Sequence, residues 1–225
     1  MKRLLLDQLN QARSEKKTVV LLTNLNDGTQ ELITPLNQDQ NHPLFSDIKK
    51  SIRDDRSYVH EENGSKTFIQ VFNPPLRLVI VGAVHISQFL VPMAQLAGYE
   101  VIVVDPRRAF GNPARFPSCV INNEWPDDAM QELKPDHRTA VVILTHDPKL
   151  DDPAIETTLK SDAFYIGTLG SNRTHAKRLE RLERLENLER IEGPIGLNIG
   201  SKNPAEIAIS ILASITNTLR NGSSK

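Results

Sequence analysis

The chain has 225 residues, with 27 Lys and Arg against 28 Asp and Glu, a net charge of −1. That balance excludes the basic excess of a general nucleic-acid binder and gives no electrostatic pull towards an anionic membrane, and no apolar run approaches the ~20 residues of a membrane span. The one cysteine, Cys119, excludes an intramolecular disulfide and a multi-cysteine metal site.

The opening Met1-Lys2-Arg3-Leu4-Leu5-Leu6 run stops at Asp7, too short for a signal-peptide core, so the expected location is the cytoplasm. Residues 4–13 fit a short helix with Leu5, Leu9 and Ala12 on one face. Val19 to Leu22 reads as a buried strand, residues 24–43 as turns and loop, residues 44–54 as a helix, and Lys66 to Phe72 as an alternating strand. Asn73-Pro74-Pro75 cannot continue a helix. A boundary placed there gives a small N-terminal α+β region, 1–73, and a second domain, 74–225.

After the boundary the pattern changes. Leu78-Val79-Ile80-Val81 ends in Gly82, and a helical stretch from Ile86 to Ala97 is closed by Gly98. Val101 to Val104 ends in Asp105, Ala140 to Leu144 in Thr145-His146-Asp147, and Ala163 to Ile166 in Gly167. Continuous apolar strands alternating with helices predict an α/β fold, a Rossmann-like, mostly parallel sheet with helices on both faces. Asp152-Pro153 reads as the start of a helix over 153–160, with Asp152 as its N-cap. A third helix is expected over 172–188, with Leu179, Leu182, Leu185 and Leu188 inside, a Glu180–Arg184 pair outside and a basic side read as solvated surface. Asn203-Pro204-Ala205-Glu206 carries a capping-box signature for a last helix that exits at Gly222.

In such a sheet ligands bind beyond the carboxyl ends of the strands, where Gly82 to His85, Asp105 to Arg108, His146-Asp147 and Gly167 to Ser171 fall. The first turn, Gly82-Ala83-Val84-His85-Ile86-Ser87, keeps the first glycine of a dinucleotide fingerprint but has Val84 at the second, where a β-branched residue tolerates positive φ poorly. Asp105, 23 positions after Gly82, is spaced to hydrogen-bond a ribose hydroxyl. A nucleotide site and a purely structural turn stand equally here.

Asp105-Pro106-Arg107-Arg108 suits an anion, with Arg107 rather than Arg108 taken for the ligand. His146 and Asp147 are assigned to function, and Asp151 and Asp152 to helix capping. Three firm ligands are not identifiable, so no metal site is expected. Gly167, Gly170, Ser171 and Arg173 form a strand-to-helix loop suited to a phosphate at a helix N-terminus. Cys119 reads as a small buried hydrophobe rather than a nucleophile.

Taken together, six segments in order resemble the XdhC (XdhC/CoxI) family, the maturation factors of xanthine dehydrogenase-type molybdenum hydroxylases. They are Leu78 to His85, Val104 to Arg107, Arg115-Phe116-Pro117, Leu144 to Asp147 with Leu150-Asp151, Tyr165 to Ser171, and Gly193 to Gly200 leading into Asn203 to Ala208. The resemblance covers roughly 76–220. Val84 replaces the second glycine of the family's Gly-Ala-Gly-His turn, Asn198 replaces an Asp, and the family's Gly-Ser-x-Pro-Arg and Gly-Gly-Cys segments are missing from the first 72 residues. The resemblance implies a chaperone rather than a turnover enzyme, which binds molybdenum cofactor, assists its sulfuration and hands it to an apo-hydroxylase. It further implies a cysteine desulfurase and a separate CoxI-type protein as partners, and a homodimer. On it the cofactor site is Gly82, His85, Asp105, Arg107, His146, Asp147, Gly167, Gly170, Ser171 and Arg173. The alternatives are an NAD(P)-dependent oxidoreductase and a non-catalytic adaptor.

Overall fold

A computed structural model describes residues 3–34 and 42–222. Met1 and Lys2 of the opening run, and residues 35–41 of the expected 24–43 loop, lie outside the described residues. The chain divides into two compact units, Met1–Pro74 and Pro75–Lys225.

In the first unit an antiparallel sheet has the order β2-β1-β4-β3, made of β1 (Val19–Asn24), β2 (Gln30–Ile33), β3 (Tyr58–Glu62) and β4 (Ser65–Phe72). Successive side chains of β1 leave on opposite faces. Val19 packs with Leu9 and Ala12 of α1 (Arg3–Ser14), while Val20 and Leu22 pack with Ile48 of α2 (Phe45–Asp54). Helix α1, the first four residues of β1, α2 and β4 match the sequence reading; β2 and β3 do not appear in it. Both are edge strands with no fully buried residue. Their side chains therefore show no apolar run, and Tyr58-Val59-His60-Glu61-Glu62 is blunted by charge, as edges commonly are.

The second unit is a six-stranded sheet in which every neighbouring pair is parallel. Its strands are β5 (Leu76–Val81), β6 (Tyr99–Val104), β7 (Val120–Asn122), β8 (Thr139–Ile143), β9 (Tyr165–Thr168) and β10 (Ile191–Glu192), in the order β10-β9-β8-β5-β6-β7. Renumbered from β5, this is the 3-2-1-4-5-6 order of a doubly wound Rossmann fold. The chain runs outward through β6 and β7, then restarts on the other side of β5 at β8. The topological switch point therefore lies between β5 and β8.

All six residues of β5 are buried, because helices cover both faces. Leu78 and Ile80 pack with Leu90 and Ala94 of α3 (His85–Leu96) and with Ile211 and Ile215 of α7 (Pro204–Asn221). Val79 and Val81 pack with Met130 of α4 (Pro126–Leu133) and Ile155 of α5 (Pro148–Leu159). Each such side chain contributes about 1.5–3 kcal/mol by leaving water. The capping box of α7 forms as the sequence predicts: Asn203 accepts from Glu206 N at 2.9 Å and the Glu206 carboxylate accepts from Asn203 N.

Four expectations are corrected. Helix α5 begins at Pro148, not Pro153, and its N-cap is Asp147, which accepts from Lys149 N at 3.0 Å; Asp152 sits inside the helix. A Pro at the first helical position needs no N–H partner, so Pro148 starts this helix as well as Pro153 would. Helix α6 (Asn172–Arg181) stops short of 188, and Arg184 reaches Glu156 at 2.9 Å rather than pairing along its own helix. Leu185 and Leu188 still pack on the core, from the turns that follow. Among the described residues no helix is long and apolar enough to cross a membrane.

Candidate functional site

Because the sheet is parallel throughout, every strand delivers its carboxyl end to one edge. At the β5 end, Gly82 turns the chain at φ +111°, and a Cβ there would lie 2.8 Å from Thr145 Cγ2 and 3.2 Å from Thr145 N. Only glycine fits this close approach to the end of β8. Val84, expected to strain at positive φ, is extended at φ −87°. The positive φ falls two residues earlier, so Val84 differs from glycine in bulk and not in backbone strain.

Asp105, at the end of β6, is fully buried. Its carboxylate accepts from Ala83 N at 2.8 Å, from Arg107 N at 3.0 Å, and from Arg107 Nε and Nη2 at 2.9 Å each. Four donors fill the roughly four lone-pair sites of a carboxylate. Burial pushes this carboxyl up, but the Arg107 side chain and the two backbone N–H groups outweigh it and hold the carboxyl below its ordinary value. Arg107 also lies 4.7 Å from the Phe110 ring centroid. Arg115 donates to Ala83 O at 2.7 Å and Phe110 O at 2.9 Å, closing the turn from its other side.

Next along the edge, His146 leaves β8 in the left-handed region, at φ +64°. Thr145 donates to the Asp151 carboxylate, and Asp151 is 2% exposed. Arg178 of α6, equally buried, stands 3.5 Å from Asp151 and donates to Thr168 Oγ1 and Leu169 O at 3.0 Å each, tying α5, α6 and the end of β9 together. Burial pushes the Asp151 carboxyl up, against the lowering by Thr145, Arg178 and His146. Beside it a cavity of about 260 Å³ is lined by His146, Asp151, Arg173, Lys177, Arg178 and Arg181, with Pro148 and Thr174.

The ten residues expected in one pocket all belong to this unit, but the cavity takes only His146 and Arg173. Gly82, Asp105 and Arg107 form a neighbouring knot, joined to it through the contact of Gly82 with Thr145. Asp147 is spent on capping α5, and Ser171 caps α6 by accepting from Thr174 N at 3.2 Å. A Cβ on Gly170, at φ +151°, would press on Thr174 at 3.0 Å. Gly167 serves packing, since a Cβ there would lie 2.5 Å from Ile195 Cδ1 and 2.7 Å from Tyr165 Cε1. His85 is exposed at the first position of α3.

The sequence reading misses Lys177, Arg178 and Arg181 and assigns Asp151 to capping. The missed signal is the spacing Arg173, Lys177, Arg181, which repeats every four residues and so forms one stripe of a helix. The basic side of α6, expected as solvated surface, lines the cavity.

A family model described as the XdhC Rossmann domain matches residues 78–215. A protein of Bacillus subtilis (strain 168) described as a probable xanthine dehydrogenase subunit is 35% identical over 164 residues, 71% of this chain and 48% of that protein. The molybdenum cofactor insertion chaperone PaoD of Escherichia coli (strain K12) is 28% identical over 148 residues, 64% of this chain and 40% of PaoD. The chain thus spans less than half the length of these curated relatives. A crystal structure of a xanthine dehydrogenase from Bacillus halodurans matches the fold with a TM-score of 0.71 at 24% identity, over 99% of this chain and 66% of that one.

Proposed function

The chain belongs to the XdhC family, and from that premise we propose that it is a non-catalytic maturation factor. In this reading it receives molybdenum cofactor, assists its sulfuration and passes it to the apo-form of a xanthine dehydrogenase-type molybdenum hydroxylase. The observation that carries the reading is the basic cavity beside the ends of β8 and β9, next to the switch point where this fold class places its ligands. The pterin phosphate of the cofactor is the part of the cargo that four cationic side chains would hold. The name of PaoD, an insertion chaperone, supports the same direction.

Sulfuration needs a sulfur donor. Cys119 of this chain is half-buried and its thiol is pushed up by that burial, the opposite of an activated persulfide carrier. A separate cysteine desulfurase, acting on the bound cofactor, fits better. The nicotinamide reading has the strand order in its favour, but Asp105 has no lone pair left for a ribose hydroxyl while Arg107 and Ala83 hold it.

The test is anaerobic purification from cofactor-replete cells, followed by acid oxidation and pterin fluorescence. The expected result is pterin in stoichiometric proportion to protein, and its transfer to added apo-hydroxylase with gain of that enzyme's activity. Repeated purification without pterin, from cells that make the cofactor, would overturn the reading.

A further inference from the structure

We propose that the cavity between α5 and α6 is a subsite for a phosphate monoester dianion, held by Arg173, Lys177 and Arg181 above the buried guanidinium of Arg178. The inference rests on the maturation-factor reading only for the identity of the cargo; the subsite is argued from charge, volume and burial.

Four cationic side chains line the cavity. Two are compensated within the protein: Arg181 grips Asp152 through Nε at 2.6 Å and Nη2 at 2.7 Å, and Arg178 faces Asp151 at 3.5 Å. Arg173 and Lys177 have no carboxylate partner among the described residues. The surplus is therefore two positive charges, the charge of a monoester phosphate at neutral pH and twice that of a diester. His146 adds a further donor at the rim.

The floor is built as well as charged. Arg178 is 2% exposed, and its Nε–H has no hydrogen-bond acceptor among the described residues. A buried donor without a partner is unusual in a folded chain and marks a place where an acceptor is missing. Thr168, Leu169 and Asp151 fix the guanidinium in place. Volume sets the class of ligand. At about 260 Å³ the cavity lies below the ~300–1,000 Å³ of whole small-molecule sites, so it takes a phosphate and the atoms next to it while the rest of the ligand lies outside.

The test uses the full chain and phenyl phosphate as probe, followed by phosphorus NMR and calorimetry, with dimethyl phosphate as the diester comparison. Wild type should bind phenyl phosphate saturably, more tightly than dimethyl phosphate, and more weakly as salt rises. The Arg173→Gln/Lys177→Gln variant alters two exposed side chains and should keep its fold by circular dichroism. Its Kd for phenyl phosphate should rise by about tenfold or more, the scale of losing charge-assisted hydrogen bonds to phosphate. A Lys49→Gln/Lys50→Gln control on α2 removes the same charge elsewhere and should change nothing. No saturable binding in wild type, equal binding in the Arg173→Gln/Lys177→Gln variant, or equal affinity for monoester and diester each overturns the subsite. The pterin assay separates the two proposals. Pterin retained equally by that variant sinks the subsite and leaves the maturation-factor reading standing. Pterin absent from wild type, with phenyl phosphate binding lost in the variant, sinks that reading and leaves the subsite.

Discussion

Asp105, just after β6, and Asp151, in the first turn of α5, are both buried carboxylates, and their surroundings push them in opposite directions. At Asp105 the Arg107 fork and two backbone N–H groups overcome burial, so the folded state favours the ion. Its stabilising contribution is present above the ordinary value of 3.8 and is lost as pH falls through the depressed folded value. Arg107→Ala should therefore cost about 2 kcal/mol at neutral pH, the range for hydrogen bonds to a charged group discounted for the partly exposed guanidinium, and less at a pH below the depressed folded value, where the carboxyl is protonated in the fold as well. Urea denaturation at the two pH values checks it, and a cost that does not shrink in acid would disprove it. At Asp151 burial outweighs the neighbours, so folding shifts the carboxyl towards its neutral form relative to the unfolded chain. Stability from that group is present below 3.8 and lost as pH rises through the raised folded value. Wild type should lose stability relative to Asp151→Asn across that window, and parallel stability–pH curves for the two proteins would refute the assignment. The sequence displays Asp105 at a strand end and Asp151 at a helix start, but Asp105 takes its fourth donor from Ala83, 22 positions away, and Asp151 faces Arg178, 27 positions away. Those long-range partners, which decide each acid's state, leave no local pattern.

At the scale of elements, legibility follows burial. The central strands β5, β6 and β8 announce themselves as unbroken apolar runs because both their faces are covered. The edge strand β7 spans three residues, with Val120 64% exposed, and gives the sequence no run to display; β2 and β3 fail to appear for the same reason. The end of α6 is misjudged because the leucine periodicity continues into turns that pack on the same core. Gly167 illustrates the ambiguity of glycine in a loop. Sequence alone assigns it to close approach of a ligand, whereas its missing side chain makes room for Ile195 and Tyr165. Gly167→Ala should then destabilise by about 1–3 kcal/mol, the usual range for overpacking a core, with phenyl phosphate affinity unchanged. Loss of affinity at unchanged melting temperature would return Gly167 to the binding site.

At the scale of the whole molecule, the hydrophobic periodicity of the sequence changes at Asn73-Pro74-Pro75, and the chain divides into compact units between Pro74 and Pro75. The apolar clusters respect that boundary. Those around β1 and β4 use residues between Leu9 and Phe72, and those on the two faces of the parallel sheet use residues from Leu76 onward. The second unit also contains every residue of the basic cavity and of the Asp105 knot. With 151 residues, Pro75–Lys225 lies in the range where a single hydrophobic core supports independent folding. A chain beginning at Pro75 should therefore be expressed as a folded α/β protein, melt cooperatively and bind phenyl phosphate with the affinity of the full chain. Circular dichroism with a thermal melt, followed by the phosphate titration, checks this. A fragment that folds cooperatively but loses the phosphate would place part of the subsite in residues 1–74. A fragment that does not fold would show that the two units are thermodynamically one. Equal affinity would assign the charge-bearing site to the Rossmann unit alone.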